Sequence, residues 1–268
     1  MKALQIIIIL HFVLISSCQT GKLDNITDLP FGMKEASALE YTANDRLLWV
    51  IEDAGNPNTL FALDGKGQLS KTLEVEGAIN TDWEDLASDS EGNVYIGDFG
   101  NNGKDREDFQ IYKVERPGKE DKTCKAETIA FKLPEDMESM DFEAFFLFKN
   151  RFYIFSKDDK HGVMISVENN IGNQVAKEVI KFNLDGKHDK VTSADISANG
   201  KTVVLLNHEK VWKLTNFKSD AFFEGTVEVI GFDHDSQKEG IVFIRENEVL
   251  ITDEQKGHEG GNLYRFEL

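Results

Sequence analysis

Apolar positions in this chain gather in short runs rich in β-branched and aromatic residues, each closed by Gly, Asn or a charged residue. Leu47 to Ile51, Val94 to Ile96, Phe152 to Phe155, Thr202 to Leu206 and Val249 to Thr252 are such runs. No 3.6-residue periodicity competes with them, so the pattern predicts strands joined by turns. A turn precedes each run: Ala43-Asn44-Asp45, Ser90-Glu91-Gly92, Lys149-Asn150, Asn199-Gly200 and Glu246-Asn247. Gly and Asn suit the positive φ angles of hairpins. Before each turn a further strand candidate opens on an acid, at Glu35, Glu84, Glu143, Asp195 and Glu239.

A third strand is expected at Thr59 to Leu63, Phe109 to Val114, Val163 to Val167, Val211 to Leu214 and Asn262 to Phe266. A fourth, more polar, is expected at Lys71 to Val75, Thr128 to Leu133, Glu178 to Phe182 and Val227 to Ile230. Four strands repeating about every 50 residues match one blade of a propeller. The expectation is one all-β domain, a single β-propeller of four-stranded antiparallel blades. Counting repeats gives five blades, and six with one degenerate blade stays open. The last repeat stops at Leu268 with three strands, so Asn25 to Phe31 is expected to supply the fourth and join the chain ends.

The N-terminus changes the compartment. Leu4 to Ile15 is an apolar run too short for a stable membrane span, and it leads into Leu14-Ile15-Ser16-Ser17-Cys18. That ending resembles a bacterial lipobox. The resemblance implies a signal peptide over 1–17, acylation of Cys18, a tether over 18–27 and the propeller over 28–268. It also implies a protein held at the bacterial cell envelope, outside the cytoplasm, by lipid in the membrane; separately, the chain is expected to be a monomer. An ordinary cleaved signal peptide is the alternative. Without the leader, Cys124 is the sole thiol, which excludes an internal disulfide.

A formal charge of −18, from 48 acids and 30 bases, argues against nucleic acid as a partner and favours cations. In a propeller the first strand of each blade lines the channel. One acid per blade would make a carboxylate ring of Glu35, Glu84, Glu143, Asp195 and Glu239. Neighbouring carboxylates about 5 Å apart repel by roughly 3 kcal/mol at an effective dielectric near 20. Such a ring must protonate, spread, hydrate or bind a cation, and oxygen ligands suit Ca²⁺ best among divalent cations. The alternative is that some of these acids cap turns at the rim.

A second tier of polar residues is expected on the loop face: Glu52, Asp53, Asp98, Asn101, Asn102 and Asp158, interrupted by Arg106 and Lys157. Acids beside an Arg and a Lys could bind a small or peptidic ligand, or a phosphate or carboxylate. Solvated rim charges are the alternative. Trp83 and Phe142 precede matching Glu residues and are expected to pack between blades.

Taken together, Trp49 to Asn56, Asp82-Trp83-Glu84-Asp85-Leu86-Ala87, Gly97 to Asn102, Asp141-Phe142-Glu143-Ala144 and Ser193 to Ser197 resemble a group of secreted or lipid-anchored bacterial propellers. These are similar to the SdiA-regulated, phytase-esterase-like and NHL-type propellers. More distantly the arrangement resembles the gluconolactonase and regucalcin propellers, whose channel acids and Asn residues hold one divalent metal. That likeness implies Glu35 as a first-strand ligand and Asp195 as a late one. Here acids stand where those families use Asn in the middle blades. Two functions are expected: a cation- and ligand-binding lipoprotein, or a metal-dependent phosphoesterase or lactonase with Glu84 or Glu143 as base.

Overall fold

The computed structural model describes residues 19–30, 32–158, 161–184 and 190–268. The leader and Cys18 lie outside the described residues. Strands β1 (Gln19–Gly21) and β2 (Asp24–Asp28) come first. The first sheet holds β3 (Ala36–Thr42), β4 (Leu47–Glu52), β5 (Thr59–Leu63) and β6 (Leu69–Glu76). The second holds β7 (Trp83–Ser88), β8 (Val94–Asp98), β9 (Phe109–Val114) and β10 (Thr123–Lys132). In the third are β11 (Phe142–Phe148), β12 (Arg151–Ser156) and β13 (Gly162–Glu168); beyond the short β14 (Gly172–Val175), β15 (Lys177–Phe182) completes it. The fourth comprises β16 (Ser193–Ile196), β17 (Thr202–Leu206), β18 (Lys210–Thr215) and β19 (Thr226–Phe232). The last comprises β20 (Lys238–Arg245), β21 (Glu248–Asp253) and β22 (Asn262–Glu267), with β2 as its outer strand.

Within each of these sheets successive strands pair antiparallel. The innermost strands adjoin in a cycle, β3 to β7, β11, β16, β20 and back to β3. The cycle closes because β2 pairs with β22, Asp24 opposite Arg265 and Asp28 opposite Asn262. The segment expected to be a tether is thus sheet: β1 also pairs, parallel, with β19. Outer edges are further covered where β6 and β14 run parallel to β10, which blunts exposed strand edges.

Burial follows the strand order. The first and second strands of the first three sheets are buried along nearly their whole length, whereas β6 and β15 are largely exposed. Hence the second strands read as nearly continuous apolar runs, the first strands bury polar groups such as Glu84, Asp85 and Glu143 among apolar ones, and the outer strands are mixed. The core sits between sheets, in clusters that each join two neighbours. Trp83 packs with Trp49 and Val114 between the first two sheets, and Phe142 with Phe109 and Phe152 between the next two. Both aromatics are inter-sheet wedges, as their position in the repeat predicts. The hairpin between Phe148 and Arg151 turns through Lys149 and Asn150, both at positive φ (51° and 62°), a two-residue type I′ geometry that matches strand twist.

Candidate functional site

The height of each channel acid is set by a β-bulge. In the first, second, third and fifth sheets the opening strand shifts register at Ser37, Glu84, Glu143 and Glu239. A bulge re-aims its extra residue. The fourth sheet pairs from Ser193 to Ile196 without a shift. There Ser193 Oγ accepts Ile241 N, just as Asp85 Oδ2 accepts Phe145 N. Each of those N–H groups lies two residues past the next sheet's bulged Glu, so Ser193 matches Asp85 and Thr192 matches Glu84.

The expected ring of acids at one height is therefore corrected. Glu84, Glu143 and Glu239 share a level. Glu35 precedes β3, is exposed, and accepts Asn56 Nδ2 at 2.7 Å; the matching position is Ser37. Asp195 lies three residues beyond Thr192, deeper in the channel, where it accepts Phe243 N and Ile196 N at 2.7 Å each. Its carboxyl is pushed up to about 7 by burial.

At the upper level the carboxylates gather differently. Oxygens of Asp53, Asp82 and Glu84 all lie within 4.8 Å of one another. Asp53 follows β4, and its carboxylate is anchored by Ala54 N at 2.5 Å. Asp82 is turned inward by two backbone bonds, its N–H to Asp98 Oδ1 (3.2 Å) and its carbonyl accepting Gly100 N (3.2 Å). Glu84 is the bulge residue of β7 and is buried. Gly100 makes room for both: a Cβ there would stand 2.0 Å from Glu84 Oε1 and 2.5 Å from Asp82 Cγ. A side chain there would push both carboxylates aside.

Crowding shows in the proton affinities. Burial, then Asp53, pushes Asp82 up to about 6 against the pull of Arg106. Burial also raises Glu84 well above the carboxylate range, followed by repulsion from Glu143, Asp53 and Asp82. Glu143 faces Glu84 and lies 2.7 Å from Lys157 Nζ. Burial alone favours neutral Lys157, but Glu143, Glu239 and Glu84 outweigh it and hold the ammonium charged. The consistent assignment is an ionised Glu143 against Lys157 and a proton on Glu84.

The other expected ligands are mostly committed elsewhere. Arg106 Nη2 bonds Asp98 Oδ1 at 2.9 Å and Asp98 O at 3.2 Å, Nη1 bonds Gly100 O at 2.7 Å, and its guanidinium stacks on Phe109. It is the internal strut of the Gly97–Asn102 loop. Asn101 is likewise structural: its N–H reaches Asp141 Oδ1 (2.7 Å) and its amide Ser139 Oγ (2.8 Å). Asp158 pairs with Lys104, Glu52 accepts Lys34 N at 3.2 Å, and Asn102 is exposed on the loop. Glu239 accepts His208 Nε2 at 2.9 Å, assigned with the imidazole as donor. Cys124 is buried in the core, its thiol pushed up to about 12 by burial, so it is not a nucleophile.

Asp82 is the site residue that repeat counting leaves out. Its signal is nonetheless in the chain, where Asp82-Trp83-Glu84 and Asp141-Phe142-Glu143 each set an acid two positions before a bulged Glu.

Several solved structures share this architecture. One is the PQQ-bound aldose sugar dehydrogenase of Streptomyces coelicolor, 10% identical, covering 92% of this chain and 98% of that one at a TM-score of 0.56. A gluconolactonase of Xanthomonas campestris is 9% identical, covers 97% and 94%, and superposes at 0.51. A chain of a nidogen/laminin complex is 11% identical, covers 84% and 74%, and also gives 0.51. The chain is a β-propeller. At these identities the likeness carries fold alone. No protein-family model matches the sequence, and no curated protein matches it.

Proposed function

We propose that this propeller is an extracytoplasmic lipoprotein, anchored through Cys18 as a monomer, that binds a divalent cation at its channel mouth and a ligand on its loop face. The observation that carries the cation is the Asp53, Asp82 and Glu84 trio within 4.8 Å, backed by a glycine whose lack of a side chain keeps the trio together. Three carboxylates with their raised proton affinities repel one another until protons or a metal neutralise them. The donors are all hard oxygens, no Cys or His joins the trio, and Ca²⁺ is the cation that fits best.

Calorimetric titration of the protein with Ca²⁺, Mg²⁺ and Mn²⁺ after chelation tests the reading. One saturable site is expected, weakened at least tenfold by Asp82→Asn or Glu84→Gln. Equal affinity in both variants rejects it.

A second reading, a metal-dependent hydrolase of the phosphoesterase or lactonase type, is supported by the Glu143–Lys157 pair beside Glu84. A cation at the trio would supply Lewis acidity for a substrate oxygen or a bound water. Glu143, kept ionised by Lys157, would take the water's proton, and Lys157 would hold the anionic oxygen that develops. Hydrolysis of aryl phosphates or lactones that falls with Glu143→Gln, while cation affinity is retained, would favour this reading over binding alone.

A further inference from the structure

A cavity of about 650 Å³ opens beside the mouth, between the loops that leave β17, lead into β20 and leave β21. That volume is in the range of small-molecule sites, about 300–1,000 Å³, and far exceeds what a bare ion fills. Among the described residues that line it, Glu209, Asp235, Asp253, Glu254 and Glu259 face one lysine, Lys256. These acids are spread around the cavity: among the described residues, only the Asp53, Asp82 and Glu84 oxygens come together closely enough to share one metal ion. We propose that this cavity binds a small organic polycation, an amine whose charges are spaced by carbon linkers.

The ligand class follows from how the wall is built. Asp253 is fully buried and accepts Tyr264 OH (3.0 Å) and Asn262 N (2.8 Å), which fixes the position of its carboxyl in the wall. Glu254 is half-buried and accepts Gln237 Nε2 at 3.0 Å. Its carboxyl is pushed up to about 7 by burial and then by Glu239, Asp53 and Glu35, so a neighbouring positive charge would relieve it. The Tyr264 ring, tilted against the exposed His234 at 5.3 Å, packs into the wall behind these acids. A neutral polyol would relieve none of this repulsion.

The cavity is also held open. Lys238 is completely buried, and its ammonium donates to His208 O (3.0 Å), His234 O (3.1 Å) and Ser236 Oγ (3.0 Å). One cation therefore fixes two of the three loops. The third is pinned by Glu254 N to Gln237 O at 2.8 Å. A preformed wall spares a ligand the ordering cost of closing it.

This inference rests on the reading of the loop face as a ligand surface and is independent of the divalent cation. The test is calorimetric titration of the whole protein with spermidine, cadaverine and the neutral polyol sorbitol, in EDTA at pH 7.5. Spermidine is expected to bind saturably and more tightly than cadaverine, with sorbitol silent. Glu254→Gln and the exposed Asp235→Asn should each weaken spermidine at least threefold, and Asp82→Asn should leave it unchanged. Absence of saturable amine binding, unchanged affinity in both pocket variants, sorbitol binding as tightly as spermidine, or loss in Asp82→Asn would each overturn the proposal. Spermidine binding without any Ca²⁺ response would instead reject the cation site and leave the amine site standing.

Discussion

The Asp85 carboxylate accepts the Ser193 hydroxyl at 3.0 Å, across 108 residues of chain, at the centre of the ring. It also accepts Phe145 N (3.0 Å), Ala194 N (3.2 Å) and Leu86 N (3.0 Å). Ser193 Oγ in turn accepts Ile241 N at 3.2 Å. One buried side chain thus ties the second sheet to the third and fourth, and through Ser193 to the fifth. Burial raises its proton affinity and these donors oppose the rise.

Replacing Asp85 by Ala would leave several buried donors unpaired. Each unsatisfied group costs about 1–3 kcal/mol, so a loss of roughly 3–5 kcal/mol is expected. At about 2–4 °C per kcal/mol for a domain of this size, the melting temperature should fall by on the order of 10 °C. Asp85→Asn should sit between, because its amide keeps one acceptor but sets NH₂ against N–H donors. A scanning-calorimetry difference under 2 °C for Asp85→Ala would remove the residue from this role.

Arg106 makes a similar case one layer higher. Asp98 is completely buried and Arg106 supplies its charge partner. Removing one partner of a buried pair costs about 3–5 kcal/mol, so Arg106→Ala should destabilise the protein as strongly as Asp85→Ala. Arg106→Lys should recover less than half, since an ammonium cannot reach Gly100 O and Asp98 together. If Arg106 were instead an anion ligand, Arg106→Ala would spare stability and weaken phosphate binding.

The strands were legible in the chain because their signals are local. Thr59–Leu63, Phe109–Val114 and Thr202–Leu206 fall where the apolar runs and their closing residues put them. The heights of the channel acids were not, because a bulge adds one residue without a mark in composition. Glu35 resembled a bulged Glu only because an apolar run follows it; the bulge falls at Ser37. Asp195 looked equivalent because the fourth sheet, which lacks the bulge, offers an acid nearby. Asp82 and Asp53 meet through loop backbone that no periodicity encodes. Arg106 read as a candidate ligand-binding base because the carbonyls it serves belong to its own loop.

Gly100→Ala tests the site without touching a ligand. Its Cβ would overlap Glu84 Oε1 and Asp82 at 2.0–2.5 Å, so the carboxylates must move apart. Divalent-cation affinity is expected to drop at least tenfold while the melting temperature without metal changes little, since separating the acids also relieves repulsion. Retained affinity would mean that the cation is held elsewhere.

The pH dependence joins stability to the site. Asp82 is raised to about 6, and Asp195 and Glu254 to about 7, all first by burial. Unfolded carboxyls titrate near pH 4. Between about 4 and those raised values the folded protein binds more protons than the unfolded chain, so stability falls as pH rises. The metal-free protein should melt highest near about pH 5 and progressively lower toward about pH 8. Lys238, lowered to about 8 by burial, acts in the opposite sense above that: there the unfolded chain binds the extra proton, and stability recovers with further rise. Saturating Ca²⁺ should flatten the carboxylate slope, because a cation at Asp53, Asp82 and Glu84 takes the place of the protons. Titrations in buffers of different ionisation enthalpy should therefore show proton release on Ca²⁺ binding at pH 7, falling in Glu84→Gln. A melting temperature that rises from pH 5 to 8 without metal would contradict the raised affinities, and proton-neutral Ca²⁺ binding would separate the cation from Glu84.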